Sequence, residues 1–341
     1  DRGRRYSLDR CHTMGSGVWS SWAFPANALN WSQMPKFTPP LRLWRQSVQV
    51  WAKDSSARGR GMAMVPEKRK PRLDASAGCA SPFGVAISEG DRATMGLVTD
   101  AIAAKRLRLA FQPVVLARDV ARVAFHEGLI RVMDPTGRVI PAKDFMPVVE
   151  THEIGRQIDC HALEIGLAAL ARVPDLRLSI NMSARSIGYP RWKQVLRRGL
   201  TAEPTVAERL ILEISESSAM LVPELVIAFM EEMQRAGVAF ALDDFGSGNT
   251  AIRYFKDFLF DILKLSGQFV RNIHREPDNQ AIVAALLSIS KHFQMFSVAQ
   301  AVETRDEAVY LQEMGLDCLQ GFLFGAPSLR PPWQAEQRKI G

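Results

Sequence analysis

Short apolar runs, each followed by a stretch with helical periodicity, recur about eight times over roughly 240 residues of this 341-residue chain, and few folds accept that rhythm. The expected strands are 107–116, 121–132, 176–181, 209–214, 238–242, 260–265, 295–299 and 318–322. Helices are expected at 93–105, 142–151, 156–172, 190–198, 223–236, 267–273, 279–292 and 305–314, with a helical turn at 250–256. Several runs, such as Val238 to Leu242, are continuously apolar, as suits strands covered on both faces. Length and alternation together predict an α/β fold, a closed TIM-like (β/α)₈ barrel with its site at the C-terminal ends of the strands. A doubly wound open sheet alternates similarly, but usually offers a glycine-rich phosphate loop after its first strand, absent here.

Residues 1–92 read differently. Five of the seven tryptophans (Trp19, Trp22, Trp31, Trp44, Trp51) lie there among Ser, Pro, Gly and Arg. This leader is expected to be a basic, mostly disordered arm with a short helix around 41–53, followed by the barrel at 93–332 and a tail at 333–341. The formal charge of +7 belongs to the leader: residues 1–95 carry 15 basic and 7 acidic residues, a balance of +8, leaving −1 for the rest. The barrel region therefore lacks the electrostatic footprint of a nucleic-acid binder. The first residue is Asp1, so Met62, Met64 and Met95 are candidate natural starts. No apolar run reaches bilayer length, and neither a signal peptide nor a transmembrane segment is expected. Cys11, Cys79, Cys160 and Cys318 show no metal-type spacing, which suits a reducing, cytoplasmic setting.

Polar residues stand at the strand ends, where a packed core would exclude them. Glu127 lies in the second strand, Asn181 ends the third, and Glu213 ends the fourth with Glu216 just beyond. Asp243-Asp244 close the fifth, Lys264 the sixth, Gln300 the seventh with Glu303 beyond, and Gln320 lies in the eighth. Singly, each has a plainer reading: a solvated Asp-Asp turn, a turn-capping Asn181, a Lys264 that snorkels to the surface. Together, at equivalent strand ends, they predict one polar mouth. Adjacent carboxylates need a compensating cation, and such oxygen donors suit Mg²⁺ or Mn²⁺ ahead of Ca²⁺.

These residues carry a resemblance. From about 96 to 328 the chain resembles the EAL domain family, whose barrels hydrolyse cyclic di-GMP to linear pGpG. The matching segments are Phe111-Gln-Pro, Glu127-Gly-Leu-Ile-Arg131, Asn181-Met-Ser-Ala-Arg185, Glu213-Ile-Ser-Glu216, Asp243-Asp-Phe-Gly-Ser-Gly248, Ile262-Leu-Lys-Leu265 and Gln320-Gly-Phe-Leu-Phe324. The resemblance implies a two-metal site in which Glu127, Asn181, Glu213 and Asp243 hold the first ion. Asp243 would bridge to a second ion that Asp244 also ligates. It implies that Lys264 and Gln320 contact the attacking water and that Gln112, Arg131 and Glu303 bind substrate. Glu216 would steady the loop after the fifth strand, at 245–249. It also implies cyclic di-GMP as ligand, a homodimer and an upstream signalling partner. Three segments depart from the family pattern. Gly128 replaces an alanine, Lys264-Leu-Ser266 replaces Lys-Ile-Asp, and Ala299-Gln-Ala-Val-Glu303 replaces Ala-Glu-Gly-Val-Glu. Gln300 takes the place of a catalytic glutamate there, and it can carry neither negative charge nor an abstracted proton. The resemblance thus implies either a weakened phosphodiesterase or an inactive domain that binds cyclic di-GMP or a protein partner.

Overall fold

A computed structural model of the chain describes residues 82–247, 256–331 and 333. Residues 1–81 of the leader with the expected helix at 41–53, the turn at 250–256 save its last residue, and the tail beyond 333 fall outside the described residues, while 82–92 are helical. Nine strands form one sheet: β1 (Leu107–Leu116), β2 (Asp119–Met133), β3 (Val139–Pro141), β4 (Leu178–Asn181), β5 (Leu210–Ser215), β6 (Ala239–Phe245), β7 (Ile262–Leu265), β8 (Phe296–Ala299) and β9 (Cys318–Gln320). The order β1-β9-β8-β7-β6-β5-β4-β2 closes through a β1–β2 pairing, so eight strands make the barrel and β3 flanks β2 outside it.

The barrel departs from a uniform parallel one at β1, which runs antiparallel to both β2 and β9. The Ala117-Arg118 connection is too short for a crossover helix, so β1 and β2 form a hairpin. No helix follows β1 to cover its outer face. The chain beyond β9 returns beside β1 instead: Phe111 and Ser328 exchange both backbone hydrogen bonds, and Trp333 packs edge-on against Phe111 and His126 at centroid distances of 5.2 and 4.7 Å.

The parallel strands are buried on both faces, as their apolar runs require; all four residues of β7 are buried, Lys264 included. Outside the barrel lies the main helix–sheet core, where Trp192, Phe229 and Phe240 stack edge-to-face with centroids 5.7 Å apart in each pair. Proline at the first turn starts the helices Pro190–Ala202, Pro223–Arg235 and Pro277–His292, where its missing N–H costs nothing. Helix Arg305–Met314 carries a Thr304/Glu307 capping box and stops at Gly315, whose φ of 86° suits glycine. The helix expected from residue 93 begins at Pro82, and the expected eighth strand ends at Gln320, not at Phe322. Just past that strand Gly321 lies against the Val302 backbone, where a Cβ would collide with the Val302 carbonyl oxygen.

Candidate active site

The C-terminal ends of β4, β5, β6, β7, β8 and β9, with Glu127 in the middle of the long β2 and Gln112 of β1 opposite it, converge on one polar cluster. At its centre is Lys264, fully buried, whose ammonium has three donors and three carboxylate partners. Its Nζ donates to Glu127 Oε2 at 3.0 Å and Glu213 Oε2 at 2.7 Å, and lies 3.2 Å from Asp243 Oδ1. Amides complete the cluster. Asn181 Nδ2 donates to Glu127 Oε1 at 2.8 Å, Gln320 Nε2 to Glu127 Oε2 at 2.6 Å, and Gln300 Nε2 to Asp243 Oδ1 at 2.8 Å. Gln112 accepts from Gln320 Nε2 at 3.2 Å and donates to the Gly325 carbonyl at 3.1 Å.

Burial and charge divide the carboxyls. Burial raises the Glu213 carboxyl to about 8, with Glu127 and Asp243 adding to the rise and Lys264 opposing it. Burial pushes Glu127 the same way, but Lys264 and the Gln320 and Asn181 amides outweigh it and hold Glu127 below its ordinary value. Burial alone would lower Lys264; the charges of Asp243, Glu127 and Glu213 hold its ammonium well above the usual lysine range. Asp244, with φ of 53°, exposes much of its surface to solvent, but loss of water around its carboxyl raises it and the charge of Asp243 adds to the rise.

Among the described residues no three carboxylate, histidine or cysteine side chains form a ready-made metal cage, because the Lys264 ammonium takes the space between the acids. The donor set nevertheless fits a hard divalent ion. Glu213 Oε1, Gln300 Oε1 and Gln320 Oε1 are buried without a hydrogen-bond partner, and Asn181 spends only its NH₂ on Glu127. Three acids and unpartnered oxygens at one point are what Mg²⁺ or Mn²⁺ takes as ligands. Glu127, Asn181, Glu213, Asp243, Lys264, Gln300, Gln320 and Gln112 are thus brought together. Glu216 stands one step out, accepting the Gly246 N–H at 2.8 Å.

Arg131 and Glu303 lie outside the cluster. Arg131 donates from Nη1 to the Ile130 carbonyl, and Glu303 is exposed, 3.7 Å from Arg271 Nη2. Of two local departures, one acquires a reason and the other a cost. A Cβ at residue 128 would meet Ile180 Cδ1 at 2.8 Å, so Ile180 fills the space an alanine methyl would take. Ala301 has φ of 56°, a left-handed conformation that disfavours a Cβ. Residue-type reasoning about strand ends passed over Ala301; its signal was the motif, which has glycine at that place.

The family model for the EAL domain matches residues 97–327. An uncharacterized signaling protein of Caulobacter vibrioides is 32% identical over 230 residues, 67% of this chain and 28% of that protein. The cyclic di-GMP phosphodiesterase PdeF of Escherichia coli is 29% identical over 207 residues, 60% of this chain and 28% of that protein. This chain therefore matches less than a third of the length of either relative. Among solved structures, the PaMucR phosphodiesterase in complex with c-di-GMP superposes with a TM-score of 0.64 at 27% identity, covering 71% of this chain and 99% of that one. The FimX EAL domain of Pseudomonas aeruginosa bound to c-di-GMP gives 0.63 at 23%, covering 69% and 96%, and shares the fold. A family match over most of the described residues, on a barrel whose strand ends gather the acids, makes this chain a member of the EAL domain family.

Proposed function

We propose that this protein hydrolyses cyclic di-GMP to linear pGpG at the barrel mouth with divalent metal ions, Mg²⁺ or Mn²⁺, at a rate reduced by Gln300 and Ser266. The observation that carries the reading is the meeting of Glu127, Glu213 and Asp243 around Lys264, with Asn181 on Glu127, from four strands of the barrel. Bound divalent ions would supply an activated water and neutralise charge on the phosphoryl oxygens. Glu127, Asn181, Glu213, Asp243 and Asp244 would hold them. Glu127 is held in turn by the Gln320 and Asn181 amides, which fix its oxygens before any ligand arrives. Lys264, charged in a buried site, donates to developing negative charge or to the attacking water, and Gln320 positions beside it. Arg131, part-buried at the edge, meets a substrate phosphate, with Gln112 and Glu303 completing the substrate contacts. Gln300 donates to Asp243 where the family's glutamate would add negative charge.

That same hydrogen bond favours a second reading, in which the domain binds cyclic di-GMP without turnover. Gln300 occupies one Asp243 oxygen and offers no charge to offset dehydration of a second ion. Loss of one positioned group costs about 10²–10⁴ in rate. The purified chain is to be incubated with cyclic di-GMP and Mg²⁺ or Mn²⁺ while pGpG is followed. Slow product formation that Glu127→Ala abolishes is expected; no product above that control, with ligand still bound, selects the receptor reading.

The proposal includes a cytoplasmic location, since buried free thiols at Cys160 and Cys318 suit a reducing compartment. Among the described residues no helix is long and apolar enough to cross a membrane. It also includes a homodimer, to be checked by light scattering, and an upstream signalling partner.

A further inference from the structure

Outside the cluster a second set of polar contacts runs around the mouth through consecutive loops. Asp159, on helix Glu153–Arg172, is 5% exposed and accepts two hydrogen bonds on Oδ2, from Ser183 N at 2.9 Å and Ser186 Oγ at 2.6 Å. Both donors belong to the turn that follows Asn181. From that turn Ala184 N donates to Ser218 Oγ at 2.8 Å, which reaches the short helix Glu216–Ala219 after β5. Glu216 Oε2 then accepts Gly246 N at 2.8 Å, two residues beyond Asp244. Met182 N on the Glu213 carbonyl, at 2.9 Å, ties the same two loops by backbone.

We propose that Asp159 is a positioning residue for the candidate metal site, anchoring a relay through Ser183 and Ser186, Ser218 and Glu216 to Gly246. The relay sets the height of three loops, and so of Asn181, Glu213 and Asp243-Asp244, without touching any of them. A buried carboxylate suits this task because one oxygen holds two donors and the helix that carries it is rigid. Asp159 makes no contact with the cluster at Lys264, so a purely local role would confine its influence to residues 183–186. The inference rests on the proposed metal site for its consequence, but not for its geometry.

Amide hydrogen exchange of the full chain distinguishes the two. Asp159→Ala is expected to speed exchange at Gly246 about tenfold while peptides from β8, which the relay does not reach, stay within about twofold of the parent. Asp159→Asn keeps an acceptor oxygen and should stay within about threefold at Gly246. Titration with Mn²⁺ alone should show about tenfold weaker binding for Asp159→Ala and near-parental binding for Asp159→Asn. Unchanged exchange at Gly246 in Asp159→Ala, or equal acceleration at Gly246 and β8, overturns the proposal. If Asp159→Ala does not fold, Ser218→Ala cuts the relay one step on; it must speed Gly246 exchange, and parental exchange there overturns the proposal equally. Failure of the unsubstituted chain to bind Mn²⁺ would defeat the metal-site reading, while Gly246 exchange still decides the relay.

Discussion

Replacing Gln300 by glutamate converts a hydrogen-bonded amide into a carboxylate beside Asp243. The parent pair is separated by 2.8 Å, Nε2 to Oδ1. Two unit negative charges held at that distance repel by about 6 kcal/mol at an effective dielectric of 20, and by about 3 kcal/mol once the side chains part to 5–6 Å. Lys264, 3.2 Å from Asp243, offsets part of this but is already shared with Glu127 and Glu213. Without metal, Gln300→Glu should therefore be destabilised by about 3 kcal/mol, or roughly 6–12 °C in Tm for a domain of this size. With saturating Mn²⁺ the added oxygen becomes a ligand and its charge an asset, so the deficit should vanish or reverse. The assay is thermal unfolding of parent and variant in EDTA and in Mn²⁺, with pGpG release measured on the same samples. Turnover should rise at least tenfold if the amide limits the rate. Equal Mn²⁺-induced shifts in the two proteins would refute the reasoning, because the new charge would then not face the ions.

Lys264→Met should destabilise the metal-free protein by about 3–5 kcal/mol, since it strands buried acids, with part recovered on adding Mn²⁺; chemical denaturation in both conditions reads this. Ala301→Gly should raise stability by about 0.5–1 kcal/mol in urea unfolding, because relief of the left-handed conformation exceeds the entropy that glycine loses. Burial raises the Asp159 carboxyl to about 7, against the two hydrogen bonds from Ser186 and Ser183, with Glu150 adding to the rise and Arg156 opposing it. The unfolded chain releases that proton near pH 4 and the folded one near 7, so Asp159 stabilises the fold below pH 4. That contribution drains away between pH 4 and 7, by a few kcal/mol at most. Denaturant midpoints across this range should show the slope in the parent and lose it in Asp159→Asn.

Much of the site was legible because the chemistry of exclusion is local. Glu213 follows Leu-Ile-Leu and Asp243-Asp244 follow Val-Ala-Phe-Ala-Leu, so each acid announced itself against an apolar background. Lys264 did the same only weakly, since a lysine in Ile-Leu-Lys-Leu also reads as one that snorkels to the surface. That its ammonium sits fully buried among three acids depends on the register of β7 against β6 and β8, a long-range property. Arg131, four residues along β2 from Glu127 and within reach of its charge, and the exposed Glu303 stand at the rim and not in the buried cluster, a distinction of depth that only the folded barrel shows.

While the missing charge at Gln300 showed only through the family resemblance, periodicity and breakers within a dozen residues wrote the strand–helix rhythm and the polar strand ends. Those signals depend on each residue's own solvation and so survive without coordinates. Closure does not: β1 turns back onto β2 through a short local hairpin, but its pairing with β9 and with Ser328 joins residues more than two hundred apart. The same holds for Asp159, which reads as an ordinary helix acid until folding brings Ser183 and Ser186 onto its oxygen. Individual solvation preferences decided what is buried; only closure of the barrel decided which buried groups meet.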